Sequence, residues 1–222
     1  MAHAVSLHSA VALIGRFPAL AGADLTVDAG EVVLVRGANG AGKTTLLRVC
    51  AGLLAVSAGD ARVLGHDLRR DRRSVRCKVA FLAHDAALYD DLTVAENLRF
   101  GVRSQRGDMT AIDVAQARLG LDGRLCTVPV GRLSTGQRRR VALALLVARR
   151  SPLWLLDEPH AGLDAATRDL IDALIREAAA DGVTVLLASH EVDRAGALAS
   201  RQVVVAGGQV VAMERSEATD VS

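Results

Sequence analysis

The chain has 222 residues, 50% of them apolar and 23% charged, a balance that supplies a substantial core and excludes a disordered tail. Lysine and arginine number 27 against 25 acidic residues, for a net charge of +2, which argues against a nucleic-acid binder relying on an overall basic field. Cys50, Cys77 and Cys126 are odd in number and widely spaced, so they fit neither a disulfide framework nor a zinc site and read as ordinary small core residues.

Residues 1–7 lack a basic stretch followed by a long apolar one, and no run approaches the ~18 apolar residues of a membrane span. The expectation is a cytosolic chain that cannot cross a membrane alone. The first strong element is Val32-Val33-Leu34-Val35, an uninterrupted apolar run that suits a strand covered on both faces of a largely parallel sheet. It leads directly into Gly37-Ala38-Asn39-Gly40-Ala41-Gly42-Lys43-Thr44, a match to the phosphate-loop pattern, with Thr45 next in line. Glycines there let the backbone turn and aim N–H groups at phosphate oxygens, and the following helix adds the positive end of its dipole. Lys43 is read as neutralising the β- and γ-phosphates of a nucleotide, and Thr44 as offering its hydroxyl to Mg2+.

Two further apolar runs, Leu153-Trp154-Leu155-Leu156 and Val183-Thr184-Val185-Leu186-Leu187, are expected in the same sheet. The first two runs stand much farther apart than one crossover helix requires, so an inserted subdomain is expected between residues 83 and 150. Within it, Thr93 with Glu96 three positions later reads as a capped helix start, and residues 103–109 as a loop. Leu133-Ser134-Thr135-Gly136-Gln137 precedes three arginines and an apolar helical stretch; Ser134 is read as the cap, and its hydroxyl, the Gly136 amide and the helix dipole as a second anion site. Asp157 and Glu158 end the second run, where adjacent anions are disfavoured unless a cation compensates. Asp157 is therefore read as a Mg2+ ligand and Glu158 as the general base that polarises the attacking water. The third run ends at Ser189-His190-Glu191, bringing His190 to the same edge, within reach of the γ-phosphate. Ala206-Gly207-Gly208 between two valine-rich stretches predicts a tight hairpin.

The segment from Leu133 to Arg140 resembles the signature of ATP-binding cassette proteins, with Thr135 in place of the usual glycine. The resemblance covers nearly the whole chain, since the phosphate loop, signature, Asp157-Glu158, Ala161-Gly162-Leu163-Asp164 and His190 follow the family's order and spacing. It implies an α/β fold: a P-loop NTPase core (residues 1–82 and 151–222) with a mainly parallel sheet and an antiparallel β subdomain, and an inserted helical subdomain (residues 83–150) carrying the signature. It also implies a head-to-tail pair of subunits, with Ser134, Gly136 and Gln137 reaching the partner's ATP and Asp164 linking the two sites. Two further positions depart from the family's pattern. Where an aromatic ring often stacks on adenine this chain has Ile14, with Phe17 three residues on; where a glutamine usually contacts magnesium, it has His84.

His84 and the run from Leu88 to Leu98, together with the signature segment, resemble the ATPase subunit of cytochrome c maturation haem exporters. That resemblance implies a peripheral subunit on the cytoplasmic face of the cell membrane, a second ABC subunit as partner in a homodimer, and contact with membrane-spanning subunits through His84 and the segment to Asn97. It implies no direct nucleic-acid contact and no cargo bound by this chain. Two alternatives stay open: an ATPase of another small exporter of drug, lipid or peptide, and a nucleic-acid or ribosome-associated ATPase of the same superfamily. The chain has no room for the second cassette or long coiled coil usual in the latter group. A phosphoryl-transferring kinase is opposed by the signature residues.

Overall fold

The computed structural model describes residues 3–83, 87–105 and 107–215, so His84 lies outside the described residues. In chain order the elements are β1 (His3–Ile14), β2 (Phe17–Asp28), β3 (Val32–Arg36), α1 (Lys43–Cys50), β4 (Ala58–Val63), β5 (His66–Asp67), α2 (Arg72–Lys78) and β6 (Val79–Leu82). Then follow α3 (Val94–Ser104), α4 (Ala111–Arg118), two short 3₁₀ turns, α5 (Thr135–Ala148), β7 (Leu153–Asp157), α6 (Ala165–Ala180), β8 (Thr184–Ala188), α7 (Val192–Gly196), β9 (Arg201–Ala206) and β10 (Gln209–Arg215).

A six-stranded sheet runs β10-β9-β3-β8-β7-β6, and a four-stranded sheet runs β2-β1-β4-β5. In the larger sheet only the β9–β10 pair is antiparallel; every pair in the smaller one is antiparallel. The uninterrupted apolar runs follow from this layering, because successive side chains of one strand feed two different cores. Val33, Val35, Leu153, Leu155 and Leu186 face α1 and the smaller sheet. Val32, Leu34, Trp154, Leu156, Val185 and Leu187 face α3, α5 and α6.

The helix expected from Thr93 forms with a full capping box. It runs on through Ser104, so residues 103 and 104, expected in a loop, are helical. The expected hairpin forms between β9 and β10, with both Gly207 and Gly208 at positive φ. Of the three free cysteines only Cys50 is a core residue, its thiol pushed up to about 12 by burial. Cys77 is exposed and Cys126 half-buried, which corrects the expectation for those two. No helix among the described residues is long and apolar enough to cross a membrane.

Candidate active site

β8 lies between β3 and β7 in parallel register, with Ala188 level with Val35 on one side and Asp157 on the other. The three strands therefore end together, at residues 36, 157 and 188, and the segments after them share one edge. This is the carboxyl edge of an open parallel sheet, where such folds carry their ligands.

After β3 the loop wraps back into α1. Gly37 makes this possible: its φ is +149°, and a Cβ there would lie 2.2 Å from the Val205 carbonyl oxygen. Lys43, buried at the start of α1, folds over the loop and donates from Nζ to the carbonyls of Gly37 (2.7 Å) and Ala38 (3.2 Å). An ammonium has three donors, so one remains for a phosphate oxygen. Asn39, Gly40, Gly42, Lys43, Thr44 and Thr45 line a cavity of about 690 Å³, and Asp157 and Glu158 line its other side.

Thr44 Oγ1 donates to the Asp157 carboxylate, at 3.1 Å from Oδ1 and 2.9 Å from Oδ2. Pairing a hydroxyl oxygen with a buried carboxylate suits magnesium, a hard cation that takes one or two protein oxygens and keeps water and phosphate oxygens as its other ligands. The residues present thus fit the ion.

Glu158 follows β7 in left-handed backbone, φ +47°, a conformation that costs a non-glycine residue on the order of 1–3 kcal/mol and persists only where surroundings over-determine it. Its N–H donates to the Ala188 carbonyl (2.9 Å), and its carbonyl accepts from Arg139 (3.1 Å). Its carboxylate Oε2 lies 2.8 Å from His190 Nδ1 and accepts from the His190 backbone N–H at 3.3 Å. The turn thus aims Glu158 along the sheet edge, and His190 holds it there.

Ser134 caps α5: its Oγ accepts from Gln137 N–H (3.3 Å) while Gln137 Oε1 accepts from Ser134 N–H (2.9 Å). Ser134, Gly136 and Gln137 do not line the cavity of their own chain. Nor do the three arginines that follow form one basic patch. Arg138 pairs with Asp90 at 2.6 Å, and Arg139 turns into the protein. Asp164 caps α6 by accepting from Thr167 N–H at 2.7 Å, and this holds its carboxyl below the usual range.

Apart from Ile14, placed at the adenine position by the family resemblance, the wall of the cavity beside the phosphate loop was not legible in the sequence. Ile14, Pro18 and Ala19 from the β1–β2 hairpin and Gly207 and Gly208 from the last hairpin form it. Phe17 is 80% exposed and does not line the cavity. The glycine pair signalled a turn in the sequence; nothing signalled that the turn would meet the phosphate loop, where Gly208 N–H donates to the Ala41 carbonyl at 2.9 Å.

The family model for ABC transporters matches residues 20–161, well over half the chain. The chain belongs to the ABC transporter family. Among curated relatives, the cytochrome c biogenesis ATP-binding export protein CcmA of Vibrio cholerae serotype O1 is 42% identical over 167 residues, covering 74% of this chain and 80% of that one. CcmA of Bordetella bronchiseptica is 39% identical over 193 residues, 84% of each chain. Among solved structures, a dimeric post-hydrolysis state of the ATP-binding cassette MJ0796 bound to ADP and Pi superposes with a TM-score of 0.88 at 25% identity, covering 96% of this chain and 99% of that one. The fold is that of an ABC ATPase, and the chain is an ATP-hydrolysing transporter subunit homologous to the CcmA export proteins.

Proposed function

We propose that two copies of this chain close head to tail over two ATP molecules, and that membrane-spanning subunits convert closure and reopening into export of haem for cytochrome c assembly. The export role rests on the relatives, which are cytochrome c biogenesis export proteins by name. The chemistry rests on one observation: the Glu158 carboxylate, pinned by His190, borders the same cavity as Lys43, Thr44 and Asp157.

In this reading the loop amides of residues 37–45 and the Lys43 ammonium hold the β- and γ-phosphates. Thr44 and Asp157 would hold magnesium, which when bound would neutralise charge on those phosphate oxygens. His190 contacts only Oε2 of Glu158, so Oε1 takes the proton of the attacking water as the new P–O bond forms and the bond to ADP breaks. With Nδ1–H on Glu158, the other ring nitrogen of His190 is the one to meet the γ-phosphate. Adenine packs against Ile14, Pro18 and Ala19 rather than on an aromatic ring.

Ser134 serves two masters without conflict. Its oxygen accepts the cap bond while its hydroxyl hydrogen donates to a phosphate oxygen of the partner's ATP, beside the Gly136 amide. Asp164 links the two sites. Residues 83–150 act as the helical subdomain, and His84 with the segment to Asn97 meets the membrane subunit. A buried Asn97 organises that segment, with its side chain bonded to both the N–H and the carbonyl of Tyr89 (2.9 and 3.0 Å). Tyr89 and Phe100 beside it form an exposed edge-to-face pair with centroids 5.0 Å apart, an apolar surface suited to a membrane-protein partner. The site of work is the cytoplasmic face of the membrane.

Glu158→Gln tests the chemistry. It should bind ATP as the parent does, lose about 100-fold or more in turnover, and accumulate an ATP-bound dimer visible by size-exclusion chromatography. Turnover equal to the parent would refute the assigned base.

A further inference from the structure

Arg139 sits on α5, five residues after the Ser134 cap, and is 6% exposed. Its guanidinium reaches three backbone carbonyls outside its own helix. Nη1 donates to Ala83 at 2.8 Å, Nη2 to Glu158 at 3.1 Å and Nε to Pro159 at 3.4 Å. Two of these acceptors lie in the left-handed turn that carries Glu158, and the third follows β6, immediately before the loop expected to contact the membrane subunit. Burying a guanidinium is unfavourable, and here desolvation pushes it down to about 10, with the Asp157 carboxylate opposing the shift. A planar fork that offers several donors in fixed directions can bridge such acceptors; a lysine ammonium is a compact point charge on a flexible stem.

We infer that Arg139 is a positioning residue for hydrolysis: carried on the signature helix, it fixes the backbone turn that aims Glu158, so that a shift of α5 moves the base. The inference rests on the general-base reading of Glu158 given above. It assigns to the helix whose cap meets the partner's nucleotide a direct mechanical hold on the base of its own chain's site. Rigid elements with defined contacts carry coupling of this kind.

The test uses the full chain with Arg139→Gln and Arg139→Lys, with Glu158→Gln in parallel. Both Arg139 variants should lose about fivefold or more in kcat while ATP affinity, read with a fluorescent analogue, stays within about twofold of the parent. In the Arg139→Lys/Glu158→Gln double variant the ATP-bound dimer should still accumulate, which a general loss of structure would prevent. A smaller fall in kcat, a parallel loss of affinity, or failure of both variants to fold would overturn the inference, the last making Arg139 a packing residue. If Glu158→Gln itself keeps parental turnover, the general-base reading fails. If Glu158→Gln is inactive and the Arg139 variants hydrolyse normally, only the positioning role fails.

Discussion

A methyl group at residue 37 would sit 2.2 Å from the Val205 carbonyl, whereas at residue 40 it would meet nothing within 4 Å. Both glycines have positive φ, +149° and +76°, so the two substitutions share backbone strain and differ in the clash. Gly40→Ala should cost about 1 kcal/mol and leave ATP binding measurable, as left-handed alanine does in an open loop. Gly37→Ala must also push β9 away from the loop, and should cost about 3 kcal/mol or more and abolish nucleotide binding. Chemical denaturation alongside a nucleotide titration separates the two, and equal behaviour would mean that the contact with β9 does not shape the loop. At Glu158 the strained residue is also the proposed base. Its φ of +47° is sustained by bonds to Ala188 at the end of β8, to His190 just after it and to Arg139 on α5, two separate parts of the chain.

Two helices carry the same device at their starts. Thr93 with Glu96 and Ser134 with Gln137 each close a reciprocal capping box, so Thr93→Ala and Ser134→Ala should each cost about 1 kcal/mol in stability. Only Ser134→Ala should also reduce ATP turnover of the isolated subunit, by about tenfold, since in the proposed head-to-tail pair only that hydroxyl would meet nucleotide. Matched losses of activity would reduce Ser134 to a cap. The Gln137 half of the second box was not read, but the Thr93–Glu96 box and the Ser134 cap were legible in the sequence because capping is local chemistry at fixed spacing. So were β3, β7 and β8, whose unbroken apolar runs reflect burial on two faces. The paired long strands β1 and β2 were not read. Their alternation breaks at Ser9, which has φ +47° where the register with β2 shifts between Leu7 and Ala10, and a bulge moves side chains to the opposite face from a period-two template. The end of α3 was missed because Arg103 and Ser104 continue the helix on polar residues. Of the residues the fold brings to one edge, Lys43 and Thr44 were read from the phosphate-loop pattern, and Asp157, Glu158 and His190 from strand ends. Arg139 escaped because its hydrogen-bond acceptors among the described residues are backbone carbonyls, which leave no trace in residue identity.

At the scale of the molecule, the loop after Glu158 is locked to α6 and α7 by a buried polar chain. His160 Nε2 lies 2.9 Å from Asp172, and Arg194 bridges Asp172 (2.6 Å) and Asp169 (2.5 Å), with Glu191 also nearby. Burial pushes the His160 imidazole below its ordinary 6.5, against the pull of Asp172, and its Nδ1 has no partner among the described residues. The unfolded chain therefore takes up this proton more readily than the folded one, so stability is fully present above pH 6.5 and declines as pH falls below it. Asp71, Glu96, Asp108 and Asp164 are all held below their ordinary values by hydrogen bonds, and their contribution disappears only in the more acidic range beneath those values. Denaturation midpoints across pH should show two separate declines, and His160→Asn should flatten the upper one alone. A parent whose stability is level between pH 7 and 5.5 would contradict this.

Contact between Gly208 and Ala41 also gives assembly of the pocket a direction in time. Ala21 donates its N–H to the Gly208 carbonyl, and Gly208 in turn donates to Ala41, so a turn translated long after the phosphate loop braces it. A ribosome that has reached residue 200 has released the nucleotide's cradle without its far wall. The far wall of the pocket is thus added after the phosphate loop, the Glu158 turn and β8 have all been made.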